Sequence, residues 1–335
     1  MKSIPEVYRP NTIYRISIMY FCFMKKALLT DSVHPILIEG LSSKGYQVEY
    51  APDITYDAVK KSIHLYEGLI INSKINCDKE FIDLGILLKF IGRLGSGREV
   101  VDIPYAESKG IRVCFSPEGN KNAVAEHALG MLLSLANQIN RADRELRQKI
   151  WQRESRRGWE LKGKTIGIIG FGQTGSQFAK KLSGMEVNVL AYDKYLNSGY
   201  AQDYNFVQEV LLDELIKKAD IISLHLPLAK DTFHFAEKSF FDRCKQGVVI
   251  INTSRGYVVD TLSLLNALES GHIGGACLDV FENEKPATFT NEEETLYARL
   301  YALDQVVLTP HIAGWTQESK YWLSKILLDK LFQIQ

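Results

Sequence analysis

The chain has 335 residues, of which 46% are apolar and 24% charged, and its 40 basic residues balance 40 acidic ones. This length accommodates two domains, each with a core of its own, and the composition is typical of a globular protein. A neutral balance gives no indication of a nucleic-acid or anionic-membrane partner, although it leaves room for a local basic pocket.

The cysteines exclude two further classes of protein. They are widely scattered and form no CxxC pair, which argues against a disulfide framework and against a zinc site: Cys22, Cys77, Cys114, Cys244 and Cys277. We therefore expect reduced thiols, a cytoplasmic enzyme and no bound metal. No apolar run approaches the roughly 20 residues that a membrane-spanning helix needs, so we expect no membrane partner.

The N-terminal segment stands apart from the predicted domains. Its apolar run "YRISIMYFCF" follows a few basic residues but has no small-residue cleavage site, and "MKKALLTD" is typical of the start of a folded domain. We interpret residues 1–24 as an N-terminal extension, with Met24 the expected start of the functional protein.

From Lys25 onward, short apolar runs alternate with helical patterns, beginning with "KKALLTD", "HPILIEGLSSKG" and "YQVEYAP". This alternation predicts a parallel sheet with helices on both faces. We place a first domain at residues 25–118. The last predicted helix, "TQESKYWLSKILLDKLF", follows the second domain, and we expect residues 312–335 to return to the first.

A long helical pattern, "NKNAVAEHALGMLLSLANQINRADRELRQKIW", leads into the second domain, residues 119–311. It fits an interdomain helix and a helix that faces a partner subunit equally well. Six Val- and Ile-rich strands follow, apolar throughout as strands covered on both faces should be. The helical patterns between them include "TGSQFAKKLSG" and "VQEVLLDELIKK".

The sequence "TIGIIGFGQTGSQFAKKL" places Gly170, Gly172 and Gly175 as G-x-G-x-x-G after a strand and at the start of a helix. Glycine permits the tight turn, and the helix N-terminus offers free N–H groups to phosphates. Asp193 ends the next strand, where a carboxylate would accept hydrogen bonds from the adenosine ribose and repel a 2′-phosphate. We therefore predict a dinucleotide site that favours NAD over NADP; Lys194, which follows, is the one residue that argues the other way.

Three ionisable residues follow predicted strands of the second domain: Arg255 after "VVIINTS", Glu284 after "ACLDVFEN" and His311 after "VVLTP". Ligands of open parallel sheets bind at the carboxyl ends of the strands. A histidine suits proton transfer near neutral pH, a carboxylate favours its imidazolium form, and an arginine offers a forked donor to a 2-oxo acid. Singly, the histidine would more often be structural, and the glutamate would more often be solvated in the acidic loop "ENEKPATFTNEEE"; the combination predicts oxidation of a secondary alcohol.

These segments together resemble the NAD-dependent D-isomer-specific 2-hydroxyacid dehydrogenases. The resemblance runs from Lys25 to the C-terminus and includes "NTSRGYVVDTLSLLNALESGHIGGACLDVFENE", "LTPHIAG", "GSGREVVDIPYAESKGIRV" and "ELKGKTIGIIGFGQTG". Within the family, the chain is most similar to the short-form 3-phosphoglycerate dehydrogenase-like branch, a branch tied to serine biosynthesis.

The resemblance implies a fold and a set of site residues. The expected fold is α/β, with a flavodoxin-like substrate domain, a Rossmann-type NAD-binding domain and a cleft between them. The expected catalytic residues are Arg255, Glu284 and His311. The resemblance implies cofactor-binding residues along the strand ends of the second domain: Gly170, Gly172, Gln173, Thr174, Gly175, Asp193, Pro227, Thr253 and Asp279. The residues implied for the substrate are Ser96, Gly97, Lys74, Arg255 and Trp315.

Two departures from the family pattern affect the substrate. Asn72-Ser73 stands where relatives often carry Arg-Ser, so one phosphate anchor is missing and Lys74 is its candidate substitute. The loop after Glu284 is longer and more acidic than usual, with Lys285 before Pro286.

The leading hypothesis is an NAD-dependent oxidoreductase of a D-2-hydroxy acid, possibly 3-phosphoglycerate, that forms a homodimer through the long helix beginning near Asn122. The alternative is a non-catalytic NAD-sensing protein of the corepressor type on the same fold. A formate dehydrogenase fits less well, because formate-oxidising relatives place glutamine where this chain has Glu284.

Overall fold

The structure is a computed structural model that describes residues 25–333, so the expected N-terminal extension lies outside the described residues. The described chain forms two compact units, which divide between Ser116 and Pro117 and again between Ser319 and Lys320. No helix of the described part is long and apolar enough to cross a membrane.

The first unit is built on a parallel sheet of five strands in the order β2-β1-β3-β4-β5. This is the flavodoxin-like order, and it confirms the predicted class. The strands are β1 (Lys25–Leu29), β2 (Tyr46–Tyr50), β3 (Gly68–Ile71), β4 (Phe90–Arg93) and β5 (Arg112–Phe115). The helices between them are α1 (Pro35–Ser43), α2 (Tyr56–Ser62), α3 (Lys79–Leu84) and α4 (Ile103–Ser108).

The second unit contains a parallel sheet of seven strands in the order β12-β11-β10-β9-β6-β7-β8. Six of these positions reproduce the Rossmann order, with β12 added at one edge, which confirms the predicted NAD-binding fold. The strands are β6 (Thr165–Ile169), β7 (Asn188–Tyr192), β8 (Val207–Glu209), β9 (Ile221–Leu224), β10 (Val248–Asn252), β11 (Ile273–Leu278) and β12 (Val306–Leu308).

Helices cover both faces of this second sheet, and each face has its own apolar cluster. The helices are α5 (Lys121–Ala136), α6 (Ile139–Arg147), α7 (Gln173–Leu182), α8 (Leu212–Lys218), α9 (Lys238–Phe241), α10 (Thr261–Glu269) and α11 (Asn291–Tyr301). Because the strands are buried on both faces, they carry the continuous apolar runs that the sequence shows.

The last helix, α12 (Gln317–Phe332), crosses the second boundary between the units. Its C-terminal part contributes Leu327, Leu328 and Leu331 to an apolar cluster of the first unit, together with Leu37 and Leu41 of α1. The chain therefore completes the core of its first unit with its last helix.

Three sequence predictions of secondary structure are wrong. Residues 207–209, predicted as the start of a helix, form the edge strand β8, and the helix starts at Leu212. The long helix is two helices, because Gln138 adopts a left-handed φ of 52° after α5 ends. The predicted acidic loop after Glu284 contains helix α11, whose first turn is closed by a capping box of Thr290 and Glu293.

Candidate functional site

The glycine-rich loop joins β6 to the N-terminus of α7. A Cβ on Gly175 would lie 2.0 Å from the carbonyl oxygen of Gly170, so this position needs glycine for the helix to pack on the strand. A Cβ on Gly172, in contrast, would meet nothing within 4 Å. The loop therefore leaves open space above Gly172, next to the first free N–H groups of α7, where a pyrophosphate fits.

The next two predicted cofactor residues are Gln173 and Thr174, which form the first turn of α7. The amide oxygen of Gln173 accepts a hydrogen bond of 2.9 Å from Lys121 Nζ. Their backbone N–H groups lie before Ser176, whose N–H is the first to bond within the helix, to Gly172 O at 3.0 Å. The N–H groups of this turn are therefore the ones available to a phosphate.

Asp193 follows β7 and lies beside the glycine loop. Its Oδ2 accepts a hydrogen bond of 2.8 Å from the backbone N–H of Phe171, and its Oδ1 accepts from those of Tyr195 at 2.9 Å and Leu196 at 3.1 Å. Three backbone donors thus fix the carboxylate at the end of the strand, where the adenosine ribose of a dinucleotide would bind.

Lys194, whose positive charge would favour NADP, forms an ion pair with Asp231. Its Nζ donates to Asp231 Oδ2 at 2.7 Å, and the hydroxyl of Tyr195 donates to the same oxygen. These two donors hold the pKa of Asp231 at about 2, with the larger effect from Lys194. Asp231 was not among the residues singled out from the sequence, because the contact joins two loops that are distant along the chain.

The other predicted cofactor residues follow β9 and β10. Pro227 is exposed, and its carbonyl accepts a hydrogen bond of 2.6 Å from Thr232 Oγ1. Thr253 is 9% exposed, and its Oγ1 is buried without a hydrogen-bond partner among the described residues. A buried polar atom without a partner is rare, so the Thr253 hydroxyl fits a ligand that supplies the missing hydrogen bond.

Glu284 and His311 meet at the carboxyl edge of the same sheet. His311 Nδ1 lies 2.8 Å from Glu284 Oε2, and the two side chains are 48% and 38% exposed. A carboxylate can only accept, so Nδ1 carries the proton and Nε2 remains for another partner. Glu284 Oε1 faces the backbone N–H of Phe281 at 3.4 Å.

A buried carboxylate holds the turn that carries His311. Asp279 Oδ1 accepts hydrogen bonds from the backbone N–H of Ile312 at 2.9 Å and from Thr309 Oγ1, and its Oδ2 accepts from the N–H of Ala313 at 2.8 Å. The backbone carbonyl of Asp279 accepts from His311 N at 2.7 Å. The side chain of Asp279 thus serves the protein, and its part in binding a cofactor stays a prediction.

His311 itself has a left-handed φ of 55°. A non-glycine residue in this region costs about 1–3 kcal/mol when its surroundings impose it, and such residues cluster at functional sites. The Asp279 contacts are what impose it here. Pro310, which has no N–H, does not interrupt the contact of this segment with the end of β11, because the N–H groups on either side of it, from Thr309 and His311, donate to Leu278 O at 3.0 Å and Asp279 O at 2.7 Å.

Arg255 follows β10 in a turn that Asn252 holds, with Asn252 Nδ2 donating to the Arg255 carbonyl at 2.9 Å. A Cβ on the next residue, Gly256, would lie 1.8 Å from the carbonyl oxygen of Phe281. This glycine therefore lets the Arg255 turn lie directly against the segment that leads to Glu284. Arg255 Nη1 also donates to Ser254 O at 2.7 Å.

The predicted substrate residues of the first unit lie beyond two neighbouring strands. Lys74 follows β3, and its Nζ donates to the carbonyl of Pro52. Ser96, which is exposed, and Gly97, which is buried, follow β4. Trp315 belongs to the second unit, where it is 73% exposed. Their parts in binding a substrate stay predictions.

Two residues near the site were missed because their contacts span long stretches of sequence. His127 Nε2 lies 2.9 Å from Thr309 Oγ1, the same hydroxyl that reaches Asp279. The hydroxyl of Tyr297 accepts a hydrogen bond of 3.1 Å from the backbone N–H of Asn283, next to Glu284. The T-x-x-E pattern at Thr290 could have predicted the helix that carries Tyr297.

Comparisons with known proteins define the class of this fold and site. Residues 129–313 match the family model described as D-isomer specific 2-hydroxyacid dehydrogenase, NAD binding domain. The chain therefore belongs to the D-isomer specific 2-hydroxyacid dehydrogenases, and its second unit is an NAD-binding domain.

Individual relatives carry several activities in their names. The chain is 34% identical over 306 residues to D-3-phosphoglycerate dehydrogenase of Archaeoglobus fulgidus, which covers 91% of this chain and 56% of that protein. It is 35% identical over 277 residues to hydroxypyruvate reductase of Thermotoga maritima, and this match covers 83% of this chain and 87% of that protein. The chain thus spans about half the length of the phosphoglycerate dehydrogenases that it matches.

Among solved structures, the D-lactate dehydrogenase of Aquifex aeolicus, complexed with NAD and lactic acid, superposes with a TM-score of 0.77 at 27% identity. The match covers 92% of this chain and 94% of that one. The names of these similar proteins include phosphoglycerate, hydroxypyruvate and lactate, which are 2-hydroxy or 2-oxo acids with different side chains.

Proposed function

We propose that the protein is an NAD-dependent dehydrogenase that transfers a hydride between nicotinamide and C2 of a D-2-hydroxy acid or its 2-oxo acid. The observation that carries the proposal is the contact of 2.8 Å between His311 Nδ1 and Glu284 Oε2, at the carboxyl edge of the sheet that bears the glycine loop. NAD, when bound, supplies the hydride acceptor at C4 of its nicotinamide ring.

His311 is the proton-transfer group of this mechanism. In oxidation its Nε2 takes the hydroxyl proton of the substrate while C2 loses its hydride, and in reduction the imidazolium returns a proton to the carbonyl oxygen. Glu284 holds the ring in the orientation that exposes Nε2 and stabilises the imidazolium. Arg255 binds the substrate carboxylate and polarises the carbonyl oxygen with its forked donors.

The cofactor is held by the residues that fit it. The first turn of α7 and the open space at Gly172 would hold the pyrophosphate through backbone N–H groups, and Asp193 would accept hydrogen bonds from the ribose hydroxyls with the lone pairs that its backbone donors leave. The buried hydroxyl of Thr253 supplies a hydrogen bond near the strand ends. These contacts favour NAD over NADP.

The substrate is a short 2-hydroxy acid, and 3-phosphoglycerate is the phosphorylated candidate, which would place the enzyme in serine biosynthesis. Lys74 supports the phosphorylated candidate weakly, because its Nζ already donates to Pro52 O. The test follows NADH oxidation by the purified chain with glyoxylate, pyruvate, hydroxypyruvate and 3-phosphohydroxypyruvate.

His311→Gln and Arg255→Ala should lower kcat/KM by about 10²- to 10⁴-fold. His64→Gln and Arg243→Ala, at exposed positions that are not among the candidate site residues, are the matched controls and should stay near wild type. Wild-type turnover in His311→Gln would overturn the mechanism. NADH binding without turnover on any acid would favour the corepressor-type alternative.

We also propose a homodimer, in the cytoplasm. The predicted long helix is interrupted at Gln138, and the apolar side chains exposed after the break support a subunit contact there: Ile139 53%, Leu146 55%, Ile150 41% and Trp151 77%. The four cysteines within residues 25–333 are free and buried, which supports a reducing compartment. Light scattering of Leu146→Glu should show a monomer if this segment forms the interface, and an unchanged dimer would move the interface elsewhere.

A further inference from the structure

The longer segment after Glu284 contains helix α11, two of whose side chains contact Asn283, the residue directly before that carboxylate. We propose that α11 is a scaffold that positions Glu284 toward His311, and that Tyr297 is its main positioning residue. This inference rests on the proposed function only for the roles of Glu284 and His311. It assigns a role to the segment that departs from the family pattern.

Tyr297 reaches the Glu284 segment from the middle of α11. Its side chain is almost fully buried, at 2% exposed, and its hydroxyl accepts a hydrogen bond of 3.1 Å from the backbone N–H of Asn283. Burial raises the pKa of Tyr297, so the hydroxyl remains neutral. A fixed acceptor therefore holds the peptide unit between Glu282 and Asn283, one residue before Glu284.

The side chain of Asn283 ties the same segment to the start of α11. Its Nδ2 donates to Glu293 Oε1 at 3.1 Å, and its Oδ1 accepts from the backbone N–H of Lys285 at 3.0 Å. Glu293 is itself fixed by the capping box, since its Oε2 accepts from the N–H of Thr290 at 2.8 Å. Asn283 is thus tied to the helix directly and Lys285 is tied to it through Asn283, while the carboxylate of Glu284 remains directed at His311.

An aromatic stack fixes the position of Tyr297 in turn. Phe289 stacks on Tyr297 with ring centroids 4.6 Å apart, Tyr301 stacks at 5.7 Å on the same ring, and Phe281 meets it edge-on at 6.1 Å. Phe281 also presents its backbone N–H to Glu284 Oε1 at 3.4 Å. The stack therefore links the packing of α11 to both ends of the Phe281–Glu284 turn.

This arrangement predicts an effect on turnover and not on binding. Displacing the Asn283 peptide would move the Glu284 carboxylate away from His311 Nδ1, which changes the proton-transfer step. The N–H groups expected to bind the pyrophosphate of NAD and the carboxylate expected to bind its adenosine ribose lie at β6 and β7, separated from β11 by β9 and β10 in the sheet. The affinity for NADH should therefore be unchanged.

The experiment compares Tyr297→Phe with Tyr301→Phe in the full-length chain. Both changes remove one hydroxyl from the same helix and the same aromatic stack, but the Tyr301 hydroxyl makes no hydrogen bond within residues 25–333. Tyr297→Phe should lower kcat about fivefold on the best 2-oxo acid, a size within the usual range of coupling between neighbouring groups. KM, NADH affinity and the kcat of Tyr301→Phe should change less than about twofold.

A double-mutant cycle with Glu284→Gln separates positioning from general destabilisation. If Tyr297 acts through Glu284, its removal from a Glu284→Gln background should cost less than about twofold. An equal loss in both backgrounds would overturn the proposal. A normal rate in Glu284→Gln itself would instead refute the proposed catalytic role of that residue, so the two failures are distinguishable.

Hydrogen exchange supplies a readout that does not depend on turnover. The peptide that spans residues 280–285 should exchange faster in Tyr297→Phe than in wild type and Tyr301→Phe, while the β6–α7 peptide should exchange equally in all three. Unchanged exchange at residues 280–285 in Tyr297→Phe would show that α11 does not hold this segment, and would overturn the scaffold.

Discussion

The two ends of the second sheet are built differently. At β6 and β7, a single stretch of sequence from the glycine loop to Leu196 supplies a helix N-terminus, an open space above Gly172 and a carboxylate tied to backbone N–H groups. At β10 to β12, three strand ends carry one candidate residue each, and contacts between distant residues hold them. The Asp279 carboxylate, for example, accepts a hydrogen bond from the backbone N–H of Ala313, which lies 34 residues later in the chain.

The site at β6 and β7 is formed by the backbone of one continuous segment. The site at β10 to β12 is formed by contacts between residues that are distant in the sequence. Local geometry at the glycine loop depends on which positions tolerate a Cβ, and nearby residues decide that. At the other end, the left-handed φ of His311 persists only because a buried carboxylate satisfies the N–H groups after it. The end that carries the candidate catalytic residues should therefore be the more sensitive to a single buried polar change.

Among the changes that test this comparison, Asp279→Ala should have the largest effect. This change leaves the N–H groups of Ile312 and Ala313 and the Thr309 hydroxyl without their acceptor. We expect the free energy of unfolding to fall by about 3 kcal/mol and kcat to fall about 100-fold as the His311 turn relaxes. Denaturant unfolding and NADH oxidation measure both.

The matched control is Asp242→Ala, which removes an exposed carboxylate that only pairs with Lys238. Titration of NADH fluorescence adds a separate measurement, because Asp279 is also a predicted cofactor residue. Turnover within twofold of wild type in Asp279→Ala would remove the contrast between the two ends of the sheet.

The same contrast explains which features the sequence predicts. The strand-glycine-helix pattern and Asp193 are encoded within one continuous segment, so composition and spacing suffice to find them. Strand β8 has three residues and lies at an edge of the sheet, where the hydrophobic pattern is weak. The break at Gln138 depends on a left-handed backbone conformation, which the sequence does not indicate because the residue is not a glycine. Tyr297 and Asp231 act through contacts across loops, which no local pattern contains.

A second prediction concerns His225 at the end of the central strand β9. Burial lowers the pKa of its imidazole to about 4, from 6.5 in the unfolded chain, and its Nε2 pairs with Ser223 Oγ at 2.9 Å. Between pH 4 and pH 6.5, the imidazole of His225 is protonated in the unfolded chain but neutral in the folded chain. The contribution of His225 to the free energy of unfolding is therefore fully retained above pH 6.5 and is lost as the pH falls towards 4. This loss amounts to about 3 kcal/mol.

His225→Gln, which keeps a polar side chain but cannot titrate, should flatten this part of the pH dependence. Urea unfolding at several pH values between 6.5 and 4 gives the slope for each protein. Equal slopes for wild type and variant would mean that other groups set the acid limit, and that the strand between the two ends does not contribute to it.

A third prediction tests the local site with two glycines of one motif. Gly172→Ala places a methyl group in open space and should weaken NADH binding about tenfold through crowding of the phosphates, with unchanged Tm. Gly175→Ala should lower Tm, because its Cβ would lie 2.0 Å from the Gly170 carbonyl oxygen. Unchanged NADH affinity in Gly172→Ala would place the pyrophosphate elsewhere.

The smallest effect should come from Asp231→Asn. Asp231 pairs with Lys194 and accepts from the Tyr195 hydroxyl, so the Lys194 cation is already neutralised in wild type. Exposed ion pairs contribute little, so freeing Lys194 should raise the ratio of kcat/KM for NADPH over NADH by only about threefold. The double variant Lys194→Ala/Asp231→Asn should lose that gain, because Lys194 is the group released. If both variants keep the wild-type ratio, Asp193 alone discriminates between the cofactors, and the local end of the sheet depends on a single carboxylate.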